Sequence, residues 1–243
     1  LKVMAFNCNL SLKHDNYRQQ RTAVVEMIRE QNADVVFLTE NFIHNSDSLW
    51  QDIQDIYPYR TQHKSAVGNQ LYSKCPIRQD TILTKKTMAY GISVCQIDDN
   101  GRGVNVIGVH LSSNNYTEDM VYMTPDSVES GIQAKTYFEN ILSAGKHRQM
   151  QAEMITEIIN MSASPTIVLG DLNDVCGSPT LRLFEQCGLK DAWCEGGCGY
   201  GATIRKPSYR IDHILYSNGL TLKRIRKLDA SSLSDHDALV GEF

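Results

Sequence analysis

The sequence predicts an α/β fold. Three observations carry that prediction. The chain opens as strand, helix, strand; short apolar runs such as Val35-Val36-Phe37-Leu38 and Ile167-Val168-Leu169-Gly170 end at polar residues; and helical periodicity runs from about residue 130 to 161 just before the second of these runs. A length of 243 residues suits one large α/β domain with a sizeable core, or two small ones. The composition is that of a globular protein, without repeats or low-complexity tracts.

Residues 2–8 read as a strand ending at Asn7. Asp15 or Asn16 can cap the helix that follows, whose apolar face holds Tyr17, Val24, Met27 and Ile28. Residues 34–40 form a strand buried on both faces, ending in the acid Glu40. Residues 46–62 predict a short helix and a strand around Tyr57-Pro58-Tyr59. Two further strands, 68–73 and 76–84, meet at Lys74-Cys75. Residues 91–97 and 104–111 pair as a hairpin turned at Asp98-Asp99-Asn100-Gly101, and the second strand carries His110 near its end.

Residues 112–130 are polar and irregular, which suits a surface insertion or, as the sharper alternative, a lid bearing Tyr116, Tyr122 and methionines. In the helix after it, Met150, Met154, Ile158 and Met161 recur at helical spacing and predict core packing. Arg148 lies on a different face, as a surface arginine or a phosphate contact; with Asn114 it is a candidate substrate-binding residue. Ser178 caps a short helix with Pro179 at its first position. The Gly-rich loop 196–201 has no nucleotide fingerprint. Residues 210–216 read as a strand in which Asp212 and Ile214 share a face, and a carboxylate pointing into a core needs a partner. The basic run 222–227 fits a charge-protected edge strand, or a phosphate-facing rim. Ser234-Asp235-His236 precedes a last strand.

Charge and cysteine usage narrow the function. A net charge of -4 shows no overall basic surface for nucleic acid, although an enzyme can bring positive charge as a metal ion. The seven cysteines include no C-x-x-C pair, which argues against a zinc ribbon; Cys194 and Cys198 could pair, but scattered thiols are the simpler reading. No apolar run approaches the ~20 residues of a membrane span. The chain begins at Leu1, already inside a strand pattern, which reads as a trimmed start that would hide any upstream signal or anchor.

The stretch 167–174 organises the rest. Asp171 and Asn173 stand two apart at the end of a buried strand, where hard oxygen ligands suit a Mg²⁺-dependent phosphoryl site. Taken alone, an Asx-turn after a core strand accounts for it more simply. The balance changes because Asn7, Glu40, His110, Asp212, Asp235 and His236 also stand at or beside strand ends. In this order, Phe6-Asn7, Leu38-Thr39-Glu40, Gly170-Asp171-Leu172-Asn173, Arg210-Ile211-Asp212 and Ser234-Asp235-His236 make the chain resemble the endonuclease/exonuclease/phosphatase superfamily over its whole length. That superfamily includes DNase I, exonuclease III-type enzymes, inositol 5-phosphatases and sphingomyelinases.

The resemblance implies a single domain over 1–243 with a four-layer DNase I-like sandwich: two mixed β-sheets face to face, helices outside. It implies Glu40 as main metal ligand with Asn7 and Asp235 close to the ion. Asp171 and Asn173 would position the attacking water and a phosphate oxygen, or a second ion. Asp212 would orient His236, and His110 would contact phosphate. Thr39 stands where Gln is more usual and Ala238 where Pro is common; neither removes a catalytic atom. The expected activity is hydrolysis of a phosphate ester, nucleic acid included, with Mg²⁺ or substituting Mn²⁺, first as a phosphodiesterase or nuclease. A phosphomonoesterase acting on a phosphoinositide or sugar phosphate is the alternative. A binding module that lost turnover is a third reading, and the intact ligand set speaks against it.

Overall fold

The computed structural model describes residues 1–11, 14–42, 46–62, 68–83, 91–114 and 128–243. Two mixed sheets, each of six strands among these residues, form the frame. The first runs β11(Arg224–Leu228)-β12(Ala238–Glu242)-β1(Lys2–Leu10)-β2(Val35–Asn41)-β4(Gln70–Ser73)-β3(Tyr59–Arg60). The second runs β5(Ile77–Leu83)-β6(Ile92–Asp99)-β7(Arg102–His110)-β8(Thr166–Asp171)-β10(Asp212–Ser217)-β9(Leu189–Asp191). β1 pairs with β2 in parallel, and β7 with β8; the other pairings are antiparallel.

Three apolar clusters define four layers. Alternate residues of β1 and β2, namely Val3, Ala5, Val35 and Phe37, meet Val104, Val106, Ile167 and Leu169 between the sheets. The opposite residues, Met4, Phe6, Val36 and Leu38, pack on α1(Tyr17–Gln31) through Val24 and Ile28, and on α2(Ser46–Ile53) through Leu49 and Ile53. Ile107, Val109 and Val168 of the second sheet pack on α3(Val128–Asn160) through Ala152 and Ile155, and on α4(Pro179–Gln186) through Leu181 and Phe184. β1 and β2 are apolar on both faces because both faces are covered, which is why their sequences run without alternation. The four-layer sandwich expected from the sequence is the fold observed.

Local chemistry explains the details. The β6–β7 turn places Asn100 and Gly101 at φ 53° and 89°, as a two-residue hairpin with the right twist demands. Gly170 has φ 131°, and a Cβ there would sit 2.1 Å from the Val109 carbonyl oxygen and 2.9 Å from the Phe37 ring. Glycine therefore lets β8 close on β7 and on Phe37 at the sheet interface. The Ser178 side chain accepts from the Leu181 N–H, capping α4. β4 and β5, adjacent in sequence, belong to different sheets, so residues 74–76 carry the chain across the sandwich.

One periodicity needs correction. The stripe of Met150, Met154, Ile158 and Met161, along α3 and just past its end, is not the core face: Met150 and Met161 are exposed. The buried face holds Ala144, Arg148, Gln151, Ala152, Ile155 and Ile159. Arg148, expected at the surface, is 3% exposed. β11 is an edge strand, as its basic residues suggested. All seven cysteines are free thiols, so Cys194 and Cys198 are not paired. Residues 115–127, the greater part of the segment read as insertion or lid, lie outside the described residues.

Candidate active site

β1, β2, β7 and β8 bring their C-terminal ends to one end of the sandwich, and β10 and β12 begin there. Register alone sets three functional side chains in a row. His110 faces Asp171 across the parallel β7–β8 pair, and Asp212 faces Asp171 across the antiparallel β8–β10 pair. From the other sheet come Asn7 and Glu40. The β1–β2 register shifts between Asn7 and Leu10, and Asn9 has φ 41°, an irregularity of the kind that re-aims side chains. Glu40 at φ 55° and Asn173 at φ 51° are also left-handed; among the described non-glycine residues with positive φ, Glu40 alone is not an asparagine. Backbone strain is thus concentrated at this end.

Asn7 Nδ2 donates to Glu40 Oε1 at 3.0 Å and to Asp171 Oδ2 at 3.1 Å, linking the two sheets. His110 Nε2 lies 3.6 Å from Glu40 Oε1 and 3.7 Å from Asp171 Oδ2. His236 Nδ1 is 2.8 Å from Asp212 Oδ2, and its Nε2 is 3.9 Å from Asp171 Oδ2. The Asn173 N–H donates to Asp171 Oδ1 at 2.8 Å, and its side-chain amide donates to the Leu111 carbonyl at 2.9 Å. The Asx-turn and the cluster of ligands therefore coexist: Oδ1 of Asp171 closes the turn and Oδ2 faces the cleft. Asn173 does not continue the strand, so the two side chains share the site through the turn rather than through pleating.

The cleft these residues border has a volume of about 770 Å³, within the range of small-ligand sites. Glu40, His110, Asp171, Asn173, Asp235 and His236 line it. So do Asn9, His14, Arg205 and Lys206, which the sequence reading did not single out. Ser234 fixes the last loop: its hydroxyl donates to the Asn7 carbonyl at 2.8 Å and accepts from the His236 N–H at 3.1 Å. Its position two residues before His236 was the available signal. Asp235 Oδ1 receives Asn9 Nδ2 at 3.5 Å.

Asn114 and Arg148 are not among the lining residues. The Arg148 guanidinium donates to Ser112 O and Asn114 Oδ1, both at 2.8 Å, and to Asp174 Oδ2 at 3.1 Å. It clamps the segment after β7 to the loop after β8. Below that loop, His213 puts Nδ1 2.7 Å from Asp191 Oδ2 and Nε2 3.0 Å from the Asp174 carbonyl oxygen, while Arg210 Nη1 donates to Asp191 Oδ2 at 2.7 Å. His213 and Asp191 carried no sequence signal, because a buried ionic network has no fixed spacing.

The electrostatics suit a cation. Asp171 is buried at the cleft wall, and burial, reinforced by the Asp212 charge, raises its carboxyl above the ordinary range against the pull of His236 and His110. Burial opposes charge on His236 as well, but the Asp212, Asp171 and Asp235 carboxylates outweigh it and raise the imidazole to about 10. Asp212 Oδ1 is buried without a hydrogen-bond partner. Ligand atoms of Glu40, His110 and Asp171 lie within 4.8 Å of one another. Converging oxygen donors with excess negative charge fit a hard divalent ion.

A model of the Endonuclease/Exonuclease/phosphatase family matches residues 4–236. No curated protein sequence matches the chain. Among solved structures, the chain is similar to the 3' phosphatase NExo from Neisseria bound to a product DNA hairpin, at 15% identity and TM-score 0.73, covering 100% of this chain and 99% of that one. It is similar to TDP2 from C. elegans, at 17% identity and TM-score 0.69, covering 99% of this chain and 74% of that one. It is also similar to sphingomyelinase C from Streptomyces griseocarneus, at 17% identity and TM-score 0.68, covering 99% and 98%.

Proposed function

Because the chain belongs to the endonuclease/exonuclease/phosphatase family, we propose that it is a Mg²⁺-dependent phosphodiesterase of nuclease type, with Mn²⁺ as a substitute. The observation that carries this reading is the His236 ring, fixed by Asp212 at 2.8 Å while its free edge turns to Asp171. The reading takes residues 1–243 as a single domain, supported by a match spanning 4–236 and by the pairing of β1 with β12, from opposite ends of the chain.

Glu40 would be the main ligand of the ion, with Asn7 and Asp235 close to it. When bound, the ion supplies neutralisation of a phosphoryl oxygen and of the leaving-group charge. The protein's own groups do the rest. Asp171, with its carboxyl raised, orients the attacking water through Oδ2 and takes its proton. Its Oδ1, held by the Asn173 N–H, keeps the carboxylate in position. The Asp212, Asp171 and Asp235 carboxylates favour the protonated form of His236, which would offer its Nε2 proton to a phosphoryl oxygen. Asp212 holds that ring in place. His110, beside Glu40 and Asp171, contacts the phosphate from the other side of the row.

The test compares bis(p-nitrophenyl) phosphate, p-nitrophenyl phosphate and a short DNA duplex, each with Mg²⁺ and with chelator. Metal-dependent hydrolysis of the diester and the duplex is expected, at rates well above the monoester. A preference for the monoester would make the protein a phosphomonoesterase, and metal-independent turnover would overturn the proposal.

A further inference from the structure

We propose that Cys176 and Cys194 form a reversible intramolecular disulfide, a redox-modification site distinct from the hydrolytic cleft. Their Sγ atoms lie 3.7 Å apart although 18 positions separate them in sequence. Cys176 sits in the turn between β8 and α4; Cys194 sits in α5(Ala192–Gly196). Both are exposed, so an oxidant reaches them without unfolding. Neither borders the cleft with Glu40 and His236; together they line a separate groove with Trp193, Tyr209 and Arg210.

Two of the other thiols lie out of an oxidant's reach. Cys8 and Cys95 are buried, and burial pushes each up to about 12. A disulfide spans about 2.05 Å between sulfurs, so the pair must close by roughly 1.7 Å. Gly177, at φ 81° and with open space where a Cβ would stand, adjoins Cys176 and gives that turn room to move.

The chemistry assigns an order. Partial burial and the Asp191 carboxylate raise the Cys194 thiol to about 11, which makes it the poorer first attacker. With oxidised glutathione as oxidant, the Cys176 thiolate attacks one sulfur of the small disulfide, releases a glutathione thiolate and forms a mixed disulfide. Cys194 then loses its proton to solvent and attacks the Cys176 sulfur. The second glutathione thiolate leaves, and both thiolates take up protons. Two protein thiols are oxidised and one small disulfide is reduced to two thiols. Arg210 Nη2, 3.3 Å from Cys194 Sγ, stabilises the thiolate as it forms. The bond ties the loop that leaves Asp171 and Asn173 to α5, closing a loop in the unfolded chain as well.

The experiment incubates the whole protein with oxidised glutathione and maps peptides by non-reducing mass spectrometry. A Cys176–Cys194 link is expected, with a thermal midpoint raised by about 5 °C and restored by dithiothreitol. Cys198→Ser should keep the link and the shift; Cys176→Ser and Cys194→Ser should each lose both. A Cys194–Cys198 link, or glutathione adducts without an intramolecular link in the wild-type protein, would overturn the proposal, and neither result depends on whether a variant folds.

Discussion

The two oxygens of Asp171 face different tasks. Oδ1 accepts from the Asn173 N–H at 2.8 Å, while Oδ2 lies 3.1 Å from Asn7 Nδ2 and 3.9 Å from His236 Nε2. Asp212, 1% exposed, has His236 as its charge partner, and an unpaired carboxylate there would cost several kcal/mol, on the order of 3. His236→Ala and Asp212→Asn should therefore each lower kcat by at least ~10²-fold. The double variant should lose little more than either single one, since the two act as a unit. Steady-state kinetics on a diester substrate measure all three, and losses that multiply would show independent roles. These residues were legible because strand ends flagged them. Asn9, His14 and Lys206 were not: Asn9 lies at the register shift of β1 and the other two lie in loops, and neither leaves a period to read.

At the level of elements, the sequence read well wherever one segment carried its own signal. The Asn100-Gly101 turn, the Ser178 cap and the buried runs of β2 and β8 each follow from local chemistry. α3 did not read well: its methionine stripe mimicked a core face, while the true face includes a buried charge. No hydrophobicity pattern places an arginine inside. Arg148 is there because Asp174, Ser112 and Asn114 supply acceptors from two segments distant in sequence. Arg148→Ala should destabilise the protein by about 3 kcal/mol, as expected when one partner of a buried pair is removed. Urea unfolding measures this, and KM for a small diester should stay within about twofold of wild type at a temperature where the variant is folded. A large rise in KM with unchanged stability would instead favour a substrate contact for Arg148.

Over the whole molecule, the parts hardest to read are those that need the full topology. The pairing of sheets, the crossing at residues 74–76 and the network of Arg148, Asp174, His213, Asp191 and Arg210 join segments far apart in sequence. That network has a pH signature. Burial would raise the Asp191 carboxyl, but the hydrogen bond from His213 and the Arg210 charge hold it well below the ordinary range. A depressed carboxylate contributes stability that is present above its unfolded pKa, about 3.9, and lost as pH falls through the folded value. The stability gap between wild type and Asp191→Asn should be full at neutral pH and narrow on acidification below about pH 4. Urea midpoints across that window check it, and parallel curves would place the acid sensitivity elsewhere.

The proposed chemistry depends most on the ion that the carboxylates of Glu40 and Asp171, with His110 beside them, are suited to hold. Calorimetric titration with Mn²⁺, run beside diester hydrolysis on the same samples of wild type and Glu40→Gln, tests it directly. Wild type should bind the ion and turn over only with it. Glu40→Gln should lose tight binding and at least ~10²-fold in kcat while keeping a native circular dichroism spectrum. Equal affinity in the two proteins, or hydrolysis that persists in chelator, would contradict the account.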